Sequence, residues 1–224
     1  MIFIEAVIQT ALSLIKPHTT VGLGGGHNVQ NLVQALATKP ALDLQVATPS
    51  ELTRQTCRAL GLPVLTDLPA TIDIMFDGCD SLDENWHVLK SRGGIHTLEK
   101  LYAHQAKRYV ILAPAERLTP TLNVTIPLCL EVVAPALPAI MQQVEQLGGH
   151  AEQRADASVA SFSRTPLGNL LVDATFEQAD QLITAAEKLQ PLTGVIATSY
   201  FDHEMTDFIT FTDDTHSQHQ RKEL

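Results

Sequence analysis

The chain alternates short, fully apolar runs with segments of helical period, and glycines stand at the junctions. Thr19 to Leu23 reads as a short buried strand running into Gly22-Leu-Gly-Gly-Gly26. Val29, Leu32, Val33 and Leu36 then recur at helical spacing, with Asn28 as the expected cap. Leu42 to Ala47 predicts a second strand, Thr48-Pro-Ser50 a turn, and Glu51 to Leu60 a helix ended by Gly61. Ile72 to Phe76 predicts a third strand, ending at Asp77-Gly78. Gly93 to Ala106 reads as a loop passing into a helix with Ile95, Leu98, Leu101 and Tyr102 inward, and Arg108 to Ala113 as a fourth strand. Upstream, Phe3, Val7, Ile8, Ala11, Leu12 and Ile15 predict an opening helix. Strands without polar alternation are those buried on both faces. The pattern therefore predicts an α/β fold with an open, mostly parallel, doubly wound (Rossmann-like) sheet.

Near Leu128 the rhythm changes. Cys129 to Val133, Asn169 to Val172 and Thr193 to Ala197 read as strands, with helices over Pro135 to Leu147 and Phe176 to Leu189 between them. This predicts a second, smaller α+β domain over 128–199. The larger domain then takes 1–127 plus 200–212, with Phe208 to Phe211 returning to the first sheet. Residues 213–224 read as a polar, disordered tail.

Charge narrows the function. The net charge is −10, with 15 basic residues against 25 acidic. Nucleic-acid binding needs clustered Lys and Arg, so no nucleic-acid partner is expected. No apolar run reaches the length of a membrane span, so no membrane partner is expected either. Cys57, Cys79 and Cys129 are odd in number and widely spaced, which argues against disulfides and structural zinc and points to the cytoplasm. The nine histidines are scattered. Only His216 and His219 have ligand-like spacing, and their polar surroundings favour a solvated pair.

In an open parallel sheet, ligands bind at the carboxyl ends of strands. Four groups of residues fall there. The turn Gly22 to Asn28 brings backbone N–H groups to the start of a helix, where an anion is favoured. Its spacing lacks the full dinucleotide fingerprint, and read alone it is also an ordinary tight turn. Asp77-Gly78-Cys79-Asp80 places two carboxylates three apart after a buried strand; its plain reading is an Asx-capped turn. Lys90-Ser91-Arg92-Gly93 is a basic glycine-containing loop, and Glu99 stands about one turn into the following helix. Taken singly, these two read equally as an exposed loop and a solvated surface residue.

Their order and spacing are more specific. Val21-Gly-Leu-Gly-Gly-Gly-His-Asn28, Asp77-Gly-Cys-Asp-Ser81, Lys90-Ser-Arg-Gly93 with Glu99-Lys100, Arg117, and Glu131-Val-Val-Ala-Pro135 resemble the type A ribose-5-phosphate isomerase family. That family carries V-G-x-G-T-G-S-T, D-G-A-D-E, K-G-G-G-x-x-x-x-x-E-K, a later Lys, and E-V-x-P. The resemblance runs from about residue 5 to about residue 212. It implies interconversion of D-ribose 5-phosphate and D-ribulose 5-phosphate through a cis-enediolate, with no cofactor and no metal. By carry-over Glu99 is the base, Lys90 stabilises the enediolate oxygen, and Asp77 and Asp80 hold sugar hydroxyls. Gly25, Gly26, His27, Asn28, Gly78, Cys79, Ser91, Arg92, Gly93 and Arg117 are the implied substrate contacts. A homodimer or homotetramer is implied on the same ground.

The departures cluster on the phosphate side. The family's loop hydroxyls are Gly25 and His27 here, with Asn28 in place of the following Thr. Ser91 and Arg92 replace two glycines, Arg117 replaces a Lys, Ser81 replaces a Glu, and a family lysine falls at Ile4. Asn28 and a protonated His27 offer replacement donors. The acid–base set is intact while the phosphate set is rewritten. The alternatives are therefore a paralogue isomerising a different sugar phosphate, or a non-catalytic sugar-phosphate-binding protein. No DNA-binding module is evident for a sensor role, and the catalytic Glu motif of a coenzyme A transferase is not found.

Overall fold

The structure, a computed structural model, describes residues 5–156, 158, 160–202 and 204–222. Phe3 and Ile4 lie outside the described residues. In chain order the first elements are α1 (Glu5–Ser13), β1 (Thr20–Leu23), α2 (His27–Ala37), β2 (Gln45–Ala47), α3 (Glu51–Ala59) and β3 (Ile74–Asp77). Next come β4 (Ser81–Asp83), β5 (Val88–Leu89), α4 (His96–Gln105), β6 (Tyr109–Pro114), β7 (Leu118–Thr119) and β8 (Leu128–Val132). The remainder are α5 (Leu137–Gln146), β9 (His150–Gln153), β10 (Ala155–Asp156), β11 (Ser161–Phe162), β12 (Leu170–Thr175), α6 (Ala179–Leu189), β13 (Val195–Thr198), β14 (Tyr200–Phe201), β15 (Asp207–Phe211) and β16 (Ser217–Arg221).

The chain divides into two units. The first comprises Met1–Cys79, Leu98–Leu118 and His203–Leu224, and the second Asp80–Thr97 and Thr119–Asp202. The first unit holds a six-stranded sheet in the order β16-β15-β6-β3-β1-β2. Every pairing in it is parallel except β15 with β16. Strand β1 sits between β2 and β3, so the strand order reverses there, and the carboxyl end of β1 is the switch point where such sheets bind ligands. The sequence wrote these strands as apolar runs because they are covered on both faces: Ile74 to Asp77 and Tyr109 to Ala113 are buried throughout. Val7, Val21, Leu32, Leu36, Phe76, Val110 and Ile209 belong to one continuous core.

Two expectations need correction in this unit. The tail is not disordered as a whole: Ser217 to Arg221 form the antiparallel edge strand β16 against β15. Its polarity is that of an exposed edge, which needs no apolar face. His216 and His219 are both exposed, as expected of a solvated pair, and His219 Nε2 also lies 2.8 Å from Asp207 Oδ1. Leu101 faces out of α4, about half exposed, while Tyr102 and Ala103 turn inward.

The second unit has its own four-stranded antiparallel sheet, β13-β8-β12-β9, carrying α5 and α6. Leu130, Val132, Ile140, Val144, Val172, Leu182 and Leu189 share its core. Strand β9 was not anticipated, since His150 to Gln153 buries only Ala151 and gives no apolar run. Among the described residues no helix is long and apolar enough to cross a membrane.

Candidate active site

In the first unit the site begins where β1 ends. Gly24 N–H donates to the Phe76 carbonyl at 2.9 Å, so the chain leaving β1 runs beside the end of β3. Asp77 closes β3 and is fully buried. A Cβ on Gly24 would stand 2.1 Å from Asp77 Cγ, so only glycine leaves room for that carboxylate. Thr53 Oγ1 donates to the Gly24 carbonyl at 2.7 Å, and Gln30 Nε2 donates to Thr53 Oγ1 at 3.1 Å, fixing the turn from behind.

Gly26, at φ 91°, is the N-cap of α2, and the helix starts at His27. The expected cap, Asn28, is instead inside the first turn, where its Nδ2 donates to the Leu112 carbonyl at 3.3 Å. No side chain bonds the start of α2 among the described residues, and His27 is exposed. The backbone of Gly25 to Asn28 is thus the donor set that the turn offers to an anion.

Asp77 is held from two sides. Gly78 N–H donates to Oδ1 at 2.8 Å, and the Tyr109 hydroxyl donates to Oδ2 at 3.1 Å. Tyr109 was read from sequence only as a strand residue. Its hydroxyl is pushed well above the usual phenol range, first by complete burial and then by the charges of Asp77, Glu99 and Glu204. Glu99, in the first turn of α4, is itself 5% exposed. Two candidate carboxylates therefore act on one buried hydroxyl. Arg117 is turned inward and its Nη1 donates to the Cys79 carbonyl.

The second unit supplies the other candidates. Asp80 Oδ2 accepts Ser91 N–H at 2.8 Å and Arg92 N–H at 2.9 Å. Lys90 is buried, and its N–H donates to the Ser199 carbonyl at 3.0 Å. The Ser91 hydroxyl donates to the Pro127 carbonyl and lies 3.0 Å from Ser199 Oγ, so it serves the loop's own packing. Arg92 and Gly93 are exposed, with Arg92 Nε 3.8 Å from Asp80 Oδ1. Glu131 is buried among neutral donors: Thr97, Thr165 at 2.8 Å and Asn169 at 2.7 Å. Among the described residues no group of three or more His, Cys, Asp or Glu is arranged to hold a metal ion.

A buried carboxylate at the carboxyl edge of a parallel sheet, beside a glycine turn and a helix N-terminus, with a second buried carboxylate acting on the same phenol, suits acid–base chemistry on a small anionic substrate. Comparison with known proteins makes this specific. The model of the ribose 5-phosphate isomerase A (phosphoriboisomerase A) family matches residues 45–215. Ribose-5-phosphate isomerase A of Roseiflexus sp. (strain RS-1) is 32% identical over 202 residues, covering 88% of this chain and 86% of that protein. That of Natronomonas pharaonis is 30% identical over 208 residues, covering 92% and 91%. Among solved structures, ribose 5-phosphate isomerase A of Methanocaldococcus jannaschii superposes with a TM-score of 0.89 at 22% identity, covering 98% of both chains. A D-ribose-5-phosphate isomerase in complex with phospho-erythronic acid does so with a TM-score of 0.90 at 23% identity, again covering 98% of both. This chain belongs to the ribose 5-phosphate isomerase A family.

Proposed function

We propose that this chain interconverts D-ribose 5-phosphate and D-ribulose 5-phosphate by moving a proton between C1 and C2 of the open-chain sugar. The family match over residues 45–215 carries the reading. The relatives named above bear that activity in their names over most of their length. In the chemistry, a base removes the proton from one carbon of the cis-enediolate pair and returns it to the other, while a cation or donor meets the developing oxyanion.

Glu99 is the proposed base, and its place in the first turn of α4, almost fully withdrawn from water, supports the role. Lys90 is proposed to meet the enediolate oxygen. Asp77 and Asp80 are proposed to hold sugar hydroxyls. The backbone N–H groups of Gly25 to Asn28 are proposed to take the phosphate, in place of the hydroxyl side chains common in the family. The neighbouring structure solved with phospho-erythronic acid supports a phosphorylated acyclic ligand. Gly78, Cys79, Ser91, Arg92, Gly93 and Arg117 complete the proposed set, with Cys79 and Arg117 shaping the backbone through the bond between them. Residues 1–127 with 200–212 are proposed as the catalytic domain, and 128–199 as the smaller one.

A cytoplasmic homodimer is the accompanying proposal. Its cysteines are buried free thiols, and burial pushes Cys57 up to about 11, which suits inert residues in a reducing compartment. Sedimentation of the purified chain tests the dimer. The activity is tested by following ribose 5-phosphate conversion with the wild type and Glu99→Gln. The expected result is wild-type turnover and a loss of about 10²–10⁴-fold in the variant. Full activity in Glu99→Gln would remove the base, and an inactive wild type would remove the function.

A further inference from the structure

The segment Lys90 to Gly94 belongs to no helix or strand, yet its backbone is held at every polar group of its central dipeptide. Asp80 Oδ2 takes both N–H groups of Ser91 and Arg92, at 2.8 and 2.9 Å. Arg154 takes both carbonyls: Nη2 donates to Ser91 O at 2.8 Å and Nη1 to Arg92 O at 3.4 Å. The guanidinium is in turn fixed by Asp173, whose Oδ2 accepts Nε at 2.8 Å and whose Oδ1 accepts Nη2. Asp173 lies on β12, a central strand of the second unit's sheet, so the pair is anchored in a rigid element. Arg154 also runs alongside Gly94, where a Cβ would stand 3.9 Å from Nη1, and Gly94 holds φ 66°.

We propose that Arg154 and Asp173 are positioning residues that clamp the Ser91–Arg92 backbone and thereby set where Lys90 presents its ammonium. This rests on the assignment of Lys90 to the reaction. The physical case is a division of labour between two charged side chains. A loop flanked by Gly93 and Gly94 has high backbone freedom, and a carboxylate alone fixes only its N–H edge. The planar fork of Arg154 fixes the carbonyl edge as well, and bidentate pairing with Asp173 leaves the fork one orientation. Both groups are largely withdrawn from solvent, with side chains 18% and 24% exposed, so the bonds are weakly screened. Burial works against the guanidinium charge, but the Asp173 hydrogen bond together with the charges of Cys129, Asp173 and Asp80 outweighs it and holds Arg154 above its ordinary range. Lys90 precedes the clamped dipeptide directly. Freedom at Ser91 therefore becomes displacement of the Lys90 side chain, and a shift of about 1 Å at a reacting group costs about 10²-fold in rate.

The test measures kcat, KM and thermal midpoint for Arg154→Met, Arg154→Lys, Asp173→Asn, Lys90→Met and the Arg154→Met/Lys90→Met double variant, using ribose 5-phosphate. Arg154→Met is expected to lower kcat about 10–100-fold while KM moves far less, the pattern of a group needed in the transition state. Arg154→Lys, which can reach one carbonyl but not form the fork, is expected to recover part of that loss. Asp173→Asn should show a smaller loss of the same kind. On the Lys90→Met background, adding Arg154→Met should cost less than about threefold more, because both act through one ammonium. Wild-type kcat in folded Arg154→Met, or a loss that simply multiplies with that of Lys90→Met, overturns the clamp. If Arg154→Met does not fold, Arg154→Lys and Asp173→Asn decide, and wild-type kcat in both overturns it equally. Lys90→Met with wild-type kcat would instead overturn the assignment of Lys90, leaving the two failures distinguishable.

Discussion

Asp77 and Asp80 stand three residues apart in one short motif, and the fold treats them in opposite ways. Asp77 is sealed at the end of β3, where it meets a fully buried phenol and the bare Cα of Gly24. Asp80 is partly exposed, and one of its oxygens is committed to two backbone N–H groups of the Ser91–Arg92 loop. The first carboxylate is fixed by packing and its position follows from the sheet. The second fixes something else. Two identical letters therefore carry different obligations: displacing Asp77 disturbs a core, whereas removing Asp80 frees a loop.

Gly24→Ala should break the comparison most severely. The added methyl cannot coexist with Asp77 where it now lies, so kcat/KM should fall by about 10²-fold or more, with overpacking costing about 1–3 kcal/mol of stability. Steady-state kinetics and thermal melts would check both, and near-normal kinetics would show that Asp77 need not occupy that place. Tyr109→Phe comes next. It removes a hydroxyl donor to a buried carboxylate, worth about 1.5–3 kcal/mol, and should lower activity without unfolding the chain.

The same variant has a signature in alkali. Burial and neighbouring carboxylates raise the folded pKa of Tyr109, so the unfolded chain loses this proton first. Stability should therefore decline as pH rises past the ordinary phenol value near 10, and Tyr109→Phe should flatten that decline in melts from about pH 9 to 11.5. An unchanged slope would show that the hydroxyl is not buried in solution.

Asp80→Asn should have a smaller effect on stability than Asp80→Ala. The amide oxygen can still accept the two loop N–H groups, while Ala leaves them unmet at about 1–3 kcal/mol. Equal destabilisation by both would remove the loop-capping role.

Asp207 sharpens the contrast at the low end of the effects. Like Asp77 it is a buried carboxylate, but it faces cations. Burial alone would raise it, yet hydrogen bonds from Arg108, Thr206 and His219 prevail and lower it. A depressed carboxylate contributes stability that is present above the unfolded value near 3.8 and is lost as pH falls through the lower folded value. Arg108→Met should reduce stability modestly at neutral pH and flatten the loss below about pH 4, measured by acid titration of the melting temperature.

The sheet and the glycine turn at the end of β1 were legible in the residues because burial on both faces leaves little but apolar letters. The runs that became β1, β3 and β6 are read to within two residues at each end. The C-terminal edge strand was missed for the converse reason: Ser217 to Arg221 are polar, and only the presence of β15 makes them a strand. The acid–base candidates were legible by spacing and resemblance. Their partners were not. Tyr109 lies 32 residues from Asp77, and Arg154 lies 63 from Ser91. A buried phenol in an apolar strand reads as packing, and an arginine beside a short polar strand reads as surface.

By itself the sequence determined the helices and the apolar strands of the main sheet, the glycine turn at the end of β1 and the chemical types available for proton transfer, since these follow from local period and from side-chain chemistry. The tertiary structure alone decided which polar groups meet. It turned Asn28 onto the Leu112 carbonyl instead of the helix end, set Tyr109 against Asp77, and brought Arg154 and Asp173 to the Lys90 loop. Such pairings depend on strand order and register, which bring together groups that nothing in the local chain connects.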